Sequence, residues 1–172
     1  MGRKRERKPA PSALDPARFT MVEYREHVLA RRQVHPGELA GCSPGEIDNL
    51  MYVQRVSRIP RLYRDFLGTI GKNPRPLMPT VDWAYPDLLQ SKAEVVGDLR
   101  ADGTDTAFLD DALVIGLGSG YFIFYIPDVS TAPDDPPVWT ATDGSDRRQL
   151  HGTFREFLLS IVDSDGRVVE IR

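Results

Sequence analysis

Two apolar, β-rich runs separated by a glycine-containing connection constrain the fold of this chain more than any other feature. The runs are residues 113–117 and 121–126, and Gly118-Ser119-Gly120 stands between them. A short connection of this kind between two such runs is typical of a β-hairpin. Residues 138–142 form a third run, which ends at the turn-forming pair Asp143-Gly144. We therefore predict three strands that pair antiparallel.

The sequence before the hairpin is patterned for helices. Ser43-Pro44-Gly45-Glu46 combines a capping serine, a proline at the first helical position and a glutamate that closes a capping box. After Ile59-Pro60, apolar residues at three- and four-residue spacing indicate a second helix, which we expect Gly71 to end in a left-handed conformation. The apolar faces of these two helices consist of Ile47, Leu50, Met51, Leu62, Tyr63, Phe66, Leu67 and Ile70.

Three further helices complete the prediction. Asp15-Pro16 is a good N-cap and first-turn pair, so we expect a helix from there up to Pro36-Gly37. Residues 72–82 contain three prolines and are predicted to be irregular, after which Tyr85-Pro86 opens another helix. The last helix carries Leu150, Phe154, Phe157, Leu158 and Ile161. Helices followed by strands and a helix predict an α+β fold, in which an antiparallel sheet packs against N-terminal helices and a C-terminal helix.

Length and composition divide the chain into parts. A chain of 172 residues that is 41% hydrophobic is long enough to bury one continuous core. Residues 1–12 are basic and proline-bearing, with little to bury, so we expect a disordered basic tail. We assign residues 13–40 to a helical extension, 41–162 to the main domain and 163–172 to a C-terminal tail.

The sequence favours a cytoplasmic protein. It contains no run of roughly 18 apolar residues, which a membrane-spanning helix would need. Its basic start leads into prolines rather than into an apolar signal core. Cys42 is the single cysteine, so an internal disulfide is impossible, which agrees with a reducing compartment.

Charge is distributed unevenly along the chain, whose net charge is −3. Between residues 98 and 146, Arg100 is the only basic residue. The same stretch holds ten aspartates, at positions 98, 102, 105, 110, 111, 128, 134, 135, 143 and 146. Such a segment repels nucleic acid and attracts cations or basic proteins. The basic N-terminal run could bind nucleic acid or a membrane surface weakly, although a solubilising tail is its commoner role.

Several motifs occur in the order and spacing of one known family. Gly41-Cys42-Ser43-Pro44-Gly45-Glu46-Ile47 comes first, and residues 59–67 form a hydrophobic-Pro-x-x-Tyr-x-x-Phe-Leu segment. Leu113-Val114-Ile115-Gly116 and residues 121–126 form the hairpin, and Phe154-Arg155-Glu156-Phe157-Leu158 forms a closing Phe-x-x-Phe-Leu helix. In these features, over residues 41–162, the sequence resembles the SUKH superfamily, which includes fungal cell-wall-synthesis regulators and bacterial relatives.

The resemblance implies a non-catalytic protein-binding domain. Bacterial SUKH members are chiefly immunity proteins, which neutralise cognate toxins, often nucleases, by binding them directly. An acidic surface can dock on the positive site of a nuclease, and electrostatic steering speeds the association. A regulatory scaffold of the fungal cell-wall regulator type is an alternative, and an unrecognised enzyme is a third.

Seven residues are candidates for the partner-binding surface. The acidic candidates are Asp110, Asp111, Asp134 and Asp135, and the aromatic candidates, beside prolines in irregular segments, are Trp83, Tyr85 and Trp139. Exposed Trp and Tyr side chains anchor many interfaces. The aromatics fit the edge of a core equally well, however, and any single aspartate more commonly solvates a loop.

No set of residues in the sequence points to a catalytic, metal or cofactor site. Gly116, Gly118 and Gly120 are not followed by the Gly-Lys-Ser/Thr of a phosphate-binding loop. Ser119 lacks the flanking glycines of a nucleophile elbow. The three histidines, at positions 27, 35 and 151, have no metal-ligand spacing. We therefore expect a protein that acts by stoichiometric binding to another protein.

Overall fold

A computed structural model describes residues 13–118 and 122–164. Within these residues the α+β class is confirmed, with five strands in one antiparallel sheet and five α-helices. The strands are β1 (Val81–Asp82), β2 (Leu113–Gly118), β3 (Phe122–Ile126), β4 (Val138–Thr142) and β5 (Asp146–His151). The helices are α1 (Met21–Arg32), α2 (Pro44–Val53), α3 (Arg61–Ile70), α4 (Leu88–Ala101) and α5 (Phe154–Asp163). The strands are arranged in the sheet in their order along the chain.

The two faces of the sheet carry separate apolar clusters. One face packs against α1, α2, α3 and α5, and the other packs against α4 and a short 3-10 helix, Ala107–Leu109. A bulge at Ile115 interrupts the pairing of β2 with β3. Because of this extra residue, Val114 and Leu117, three positions apart, both face α4. Phe66, Phe154 and Phe157 are buried in the larger cluster, as their helical spacing predicts.

α1 shares this larger cluster with the rest of the chain. Tyr24 is fully buried and donates a hydrogen bond from Oη to the carbonyl of Leu158, 2.9 Å away. Arg32 donates to the carbonyl of Ile161 at 2.8 Å, near the C-terminal end of α5. The segment predicted as an extension, residues 13–40, is therefore integral to the core of residues 41–162.

The predicted start of α1 at Asp15-Pro16 is wrong. Asp15 caps a separate 3-10 turn, Pro16–Arg18, in which its carboxylate accepts a hydrogen bond from the amide of Ala17. The backbone is extended at Phe19, and Thr20 then caps α1 by accepting a bond from the amide of Glu23. Asp15 thus caps the start of the turn, and Thr20 caps the start of the helix.

The capping box that begins α2 is confirmed. Ser43 Oγ accepts from the amide of Glu46, and the Glu46 carboxylate accepts from the amide of Ser43 at 2.8 Å. The left-handed conformation predicted for Gly71 is wrong, since its φ is −62°. Gly71 stays right-handed because its amide still donates to the Leu67 carbonyl as in the helix, and its own carbonyl accepts a hydrogen bond from the amide of Tyr85.

The structure contains two strands that the sequence analysis missed. β1 lies in the segment predicted to be irregular and pairs with the last two residues of β2. β5 follows Asp143-Gly144, where both residues have positive φ angles, 51° and 71°. β5 consists mostly of polar residues at the edge of the sheet, so it lacks a clear apolar alternation. Leu150 belongs to β5, and α5 therefore begins only at Phe154.

Some predictions fall on residues outside the described ranges. These are the disordered tail at 1–12, the hairpin connection at 119–120 with Tyr121, and the C-terminal tail from residue 165 onward. β2 and β3 pair antiparallel on either side of the connection, as predicted. Among the helices of residues 13–118 and 122–164, none has both the length and the apolar character needed to cross a membrane.

Candidate functional site

The sheet register divides the acidic stretch between two opposite ends of the sheet. β2 and β3 run antiparallel, as do β3 and β4. The start of β2, the end of β3 and the start of β4 therefore lie together at what we call the loop end, with Asp110, Asp111 and the loop of residues 127–137. The end of β4 and the turn at Asp143-Gly144 lie at the opposite end, called the turn end. The structure thus brings the four predicted aspartates to the loop end.

At the loop end, Asp134 and Asp135 hold the 127–137 loop against neighbouring helices. Asp134 Oδ1 lies 3.2 Å from a guanidinium nitrogen of Arg58, and the Asp134 carbonyl accepts from the amide of Leu62 at the start of α3. Asp135 Oδ1 accepts from the amide of Arg155 at 3.0 Å, and its Oδ2 lies 3.4 Å from Arg155 Nε. Both carboxylates are therefore engaged within the domain, which leaves them less charge to offer a partner.

Asp111 is also engaged internally, whereas the carboxylate of Asp110 is exposed. The Asp111 carboxylate accepts hydrogen bonds from the amide and hydroxyl of Ser130. Lys92 Nζ donates to the main-chain carbonyls of Gln54, Asp110 and Ala112, at 2.9, 3.2 and 2.9 Å. Burial lowers the pKa of Lys92, and the nearby charges of Asp110 and Asp111 oppose that shift. This network joins α2, α4 and the start of β2.

The three candidate aromatics have different environments. Trp83 is only 2% exposed and packs against Phe66, with ring centroids 5.3 Å apart, so of its two predicted environments the core is the one observed. The segment before it pairs with β2, which draws Trp83 into the core. Tyr85 and Trp139 are half-buried at the edge of a core cluster, and Trp139 lies beside Tyr125. Their role in binding stays a prediction.

A small pocket lies at the turn end, where α4 meets the β4–β5 turn. Gly144 packs so closely that a Cβ atom there would lie 2.7 Å from a methyl group of Leu99. Val95, Leu99 and Ile123 provide an apolar lining, and Gly144 completes the wall. Asp98, Asp102 and Asp143 also line the pocket, whose cavity volume is about 50 Å³. The lining of the pocket therefore combines three apolar side chains with three exposed aspartates.

The lining of this pocket carries an excess of negative charge. Asp98 lies in the last turn of α4 and Asp102 caps its C-terminal end, where unpaired carbonyls already carry partial negative charge. Within the described part of the chain, neither of them nor Asp143 forms an ion pair. These three belong to the ten aspartates of residues 98–146, and the charge pattern alone does not distinguish them from the other seven. Asp98 and Asp102 are four residues apart near the end of a predicted helix. This spacing places both on the same face of the helix and could have indicated a local acidic site.

The described residues include no cluster of three or more His, Cys, Asp or Glu side chains that could hold a metal ion. Ser160 Oγ lies 3.2 Å from His151 Nε2, but the hydroxyl donates to the Phe157 carbonyl at 2.7 Å. The hydroxyl proton is thus directed at the Phe157 carbonyl, and the tautomer of His151 determines which group donates in its contact with Ser160. Cys42 is buried, and burial together with the charge of Glu46 raises its thiol pKa to about 11.

Comparisons with known proteins give no match for the sequence among protein-family models and curated proteins, and none for the structure among solved structures. The relation to the SUKH superfamily is therefore a hypothesis that depends on the sequence motifs.

Proposed function

We propose that this protein is an immunity protein that binds and neutralises a cognate bacterial toxin, with a nuclease-type toxin favoured. The observation that carries the proposal is the set of carboxylates at the turn end, which no described cation neutralises. The sequence motifs that resemble the SUKH superfamily support the same class. The toxin would be a protein with a positively charged face, such as the face with which a nuclease holds its substrate.

Unneutralised carboxylates at a helix C-terminus destabilise the isolated domain, because they face the negative end of the helix dipole. A basic partner would remove that repulsion on binding. Long-range attraction between the two surfaces would also raise the association rate, and salt would reduce this effect. The loop end contributes less to this attraction in our proposal, because Asp134 and Asp135 are paired with arginines.

The first test is the neighbouring reading frame, where the proposal expects a toxin-like domain, and the second is co-expression with that domain. We expect the wild-type chain to protect cells from that domain and to bind it with one-to-one stoichiometry. The association rate, measured with purified proteins, should fall steeply between low and physiological salt. Failure to protect and to bind would eliminate the immunity function. Binding without protection would instead favour the regulatory scaffold.

A further inference from the structure

The pocket at the turn end has a size that restricts its occupant. Its volume of about 50 Å³ is far below the several hundred cubic ångströms typical of pockets for small-molecule ligands or cofactors. It has room for the tip of a single side chain. The pocket is open to solvent, between the last turns of α4 and the turn that follows β4.

The chemistry of the lining restricts the occupant further. Val95, Leu99 and Ile123 contribute apolar side chains, which cannot ligate a metal ion, and the described acidic residues form no group that could hold one. An apolar side chain would match these three apolar residues but would leave Asp98, Asp102 and Asp143 without a positively charged partner. A side chain with an alkyl stem and a cationic head satisfies both parts, because the stem covers apolar atoms while the head meets the carboxylates.

We propose that this pocket receives one lysine or arginine side chain of a protein partner. The alkyl stem lies against Val95 and Leu99, and the cationic head lies between Asp102 and Asp143. The identity of that partner as a toxin rests on the proposed function, but the pocket's preference for a basic side chain does not. The pocket thus makes the turn end a specific acceptor as well as a region of negative potential.

The first experiment uses n-butylguanidinium and n-butylammonium as probes, titrated into the isotope-labelled full chain. NMR shifts of the amides of Leu99 and Gly144 report on occupancy. We expect saturable shifts with dissociation constants on the order of millimolar, as suits ligands of so few atoms. Guanidinium lacks the stem and 1-pentanol lacks the charge, so each should bind at least about fivefold more weakly. Equal shifts with 1-pentanol would overturn the proposal.

Variants then locate the site. The double variant Asp102→Asn/Asp143→Asn should weaken probe binding by roughly fivefold or more, since it removes two charges without changing shape. Asp128→Asn is the matched control, because Asp128 is exposed, lies outside the pocket and has a positive φ that asparagine tolerates. Val95→Met should also weaken binding, by filling the pocket while keeping every charge. An equal loss from Asp128→Asn, or no loss from either pocket variant, would contradict the proposal.

The same variants separate this inference from the proposed function. If the wild type binds the toxin domain and both pocket variants bind it equally well, the pocket is not the acceptor, although the immunity function stands. If the probes bind as expected but the toxin domain does not, the pocket stands and the immunity function fails. If Asp102→Asn/Asp143→Asn weakens both probe and toxin binding while Asp128→Asn weakens neither, both proposals are supported.

Discussion

The side-chain amide of Gln54 pairs with both main-chain groups of Val114. Its Oε1 accepts from the Val114 amide at 2.8 Å, and its Nε2 donates to the Val114 carbonyl at 2.9 Å. β1 pairs only with the last two residues of β2, so this part of the β2 edge has no strand beside it. Gln54, which is 1% exposed, takes the place of a neighbouring strand and satisfies these buried groups.

Replacing Gln54 by methionine should therefore lower the free energy of unfolding by about 2–4 kcal/mol. Methionine keeps the volume but leaves the amide and carbonyl of Val114 without partners, and each such buried group costs about 1–3 kcal/mol. Urea denaturation at 25 °C measures the loss. Gln90→Met on the exposed side of α4 is the control, and we expect it to change stability by less than about 0.5 kcal/mol. Equal midpoints for the two variants would refute this role.

Replacing two of the glycines by alanine should change the free energy of unfolding in opposite directions. At Gly41 a Cβ atom would overlap the main-chain carbonyl of Gly68, which cannot move without distorting α3. Gly41→Ala should cost at least about 3 kcal/mol. At Gly97 in α4 a Cβ atom would meet nothing, so Gly97→Ala should raise the free energy of unfolding by about 0.5–1 kcal/mol. Thermal denaturation of both variants checks the predicted difference in sign.

The adjacent aspartates of the loop end should differ in their contribution to stability. Asp135→Ala removes the acceptor of the Arg155 amide and the partner of its guanidinium, so we expect a loss of about 1–3 kcal/mol. Asp134→Ala should cost less than about 1 kcal/mol, because its carboxylate is largely exposed and Arg58 keeps the Ala132 carbonyl as an acceptor. Urea titrations decide the order. A larger loss for Asp134→Ala would show that the pairing is misassigned.

Acid should destabilise the protein through His27. Burial lowers the pKa of His27 below its ordinary value of 6.5, with Asp163 opposing the shift and Arg31 adding to it. Below pH 6.5 the unfolded chain therefore takes up this proton before the folded chain does, so the free energy of unfolding falls as the pH falls. We expect His27→Gln to reduce the slope of stability against pH between 7 and 5. Urea denaturation of the wild type and the variant at pH 7 and pH 5 measures this slope, and equal slopes would contradict the role of His27.

The sequence predicted those elements that local patterns determine. The capping box at Ser43 and the aromatic spacing of α3 and α5 were sufficient to place three helices and much of the core. β1 has only two residues, and its pairing depends on a contact with β2 more than 30 positions away, which no local pattern shows. β5 could not be predicted from apolar alternation, because most of its residues are polar. The preceding Asp143-Gly144 is nevertheless typical of a hairpin turn.

The candidate site was predictable only in its charge. Counting aspartates identified the acidic stretch, but spacing could not show that Asp134 and Asp135 pair with Arg58 and Arg155, which are distant in sequence. The sequence pattern also could not show that the turn after β4 lies against the end of α4, where the two form a pocket. Trp83 was ambiguous because its prolines suggested a loop, whereas the β1 pairing buries it.

Because Tyr24 and Arg32 donate to carbonyls of α5, we expect the two ends of the described chain to unfold as one cooperative unit. Opening α1 exposes the buried side of α5, and opening α5 removes the acceptors on which α1 depends. The amide protons of α1 and α5 should therefore exchange with deuterium at matching, slow rates, close to the rate of global unfolding. If α1 packed only weakly against the domain, its amide protons would exchange much faster than those of α5.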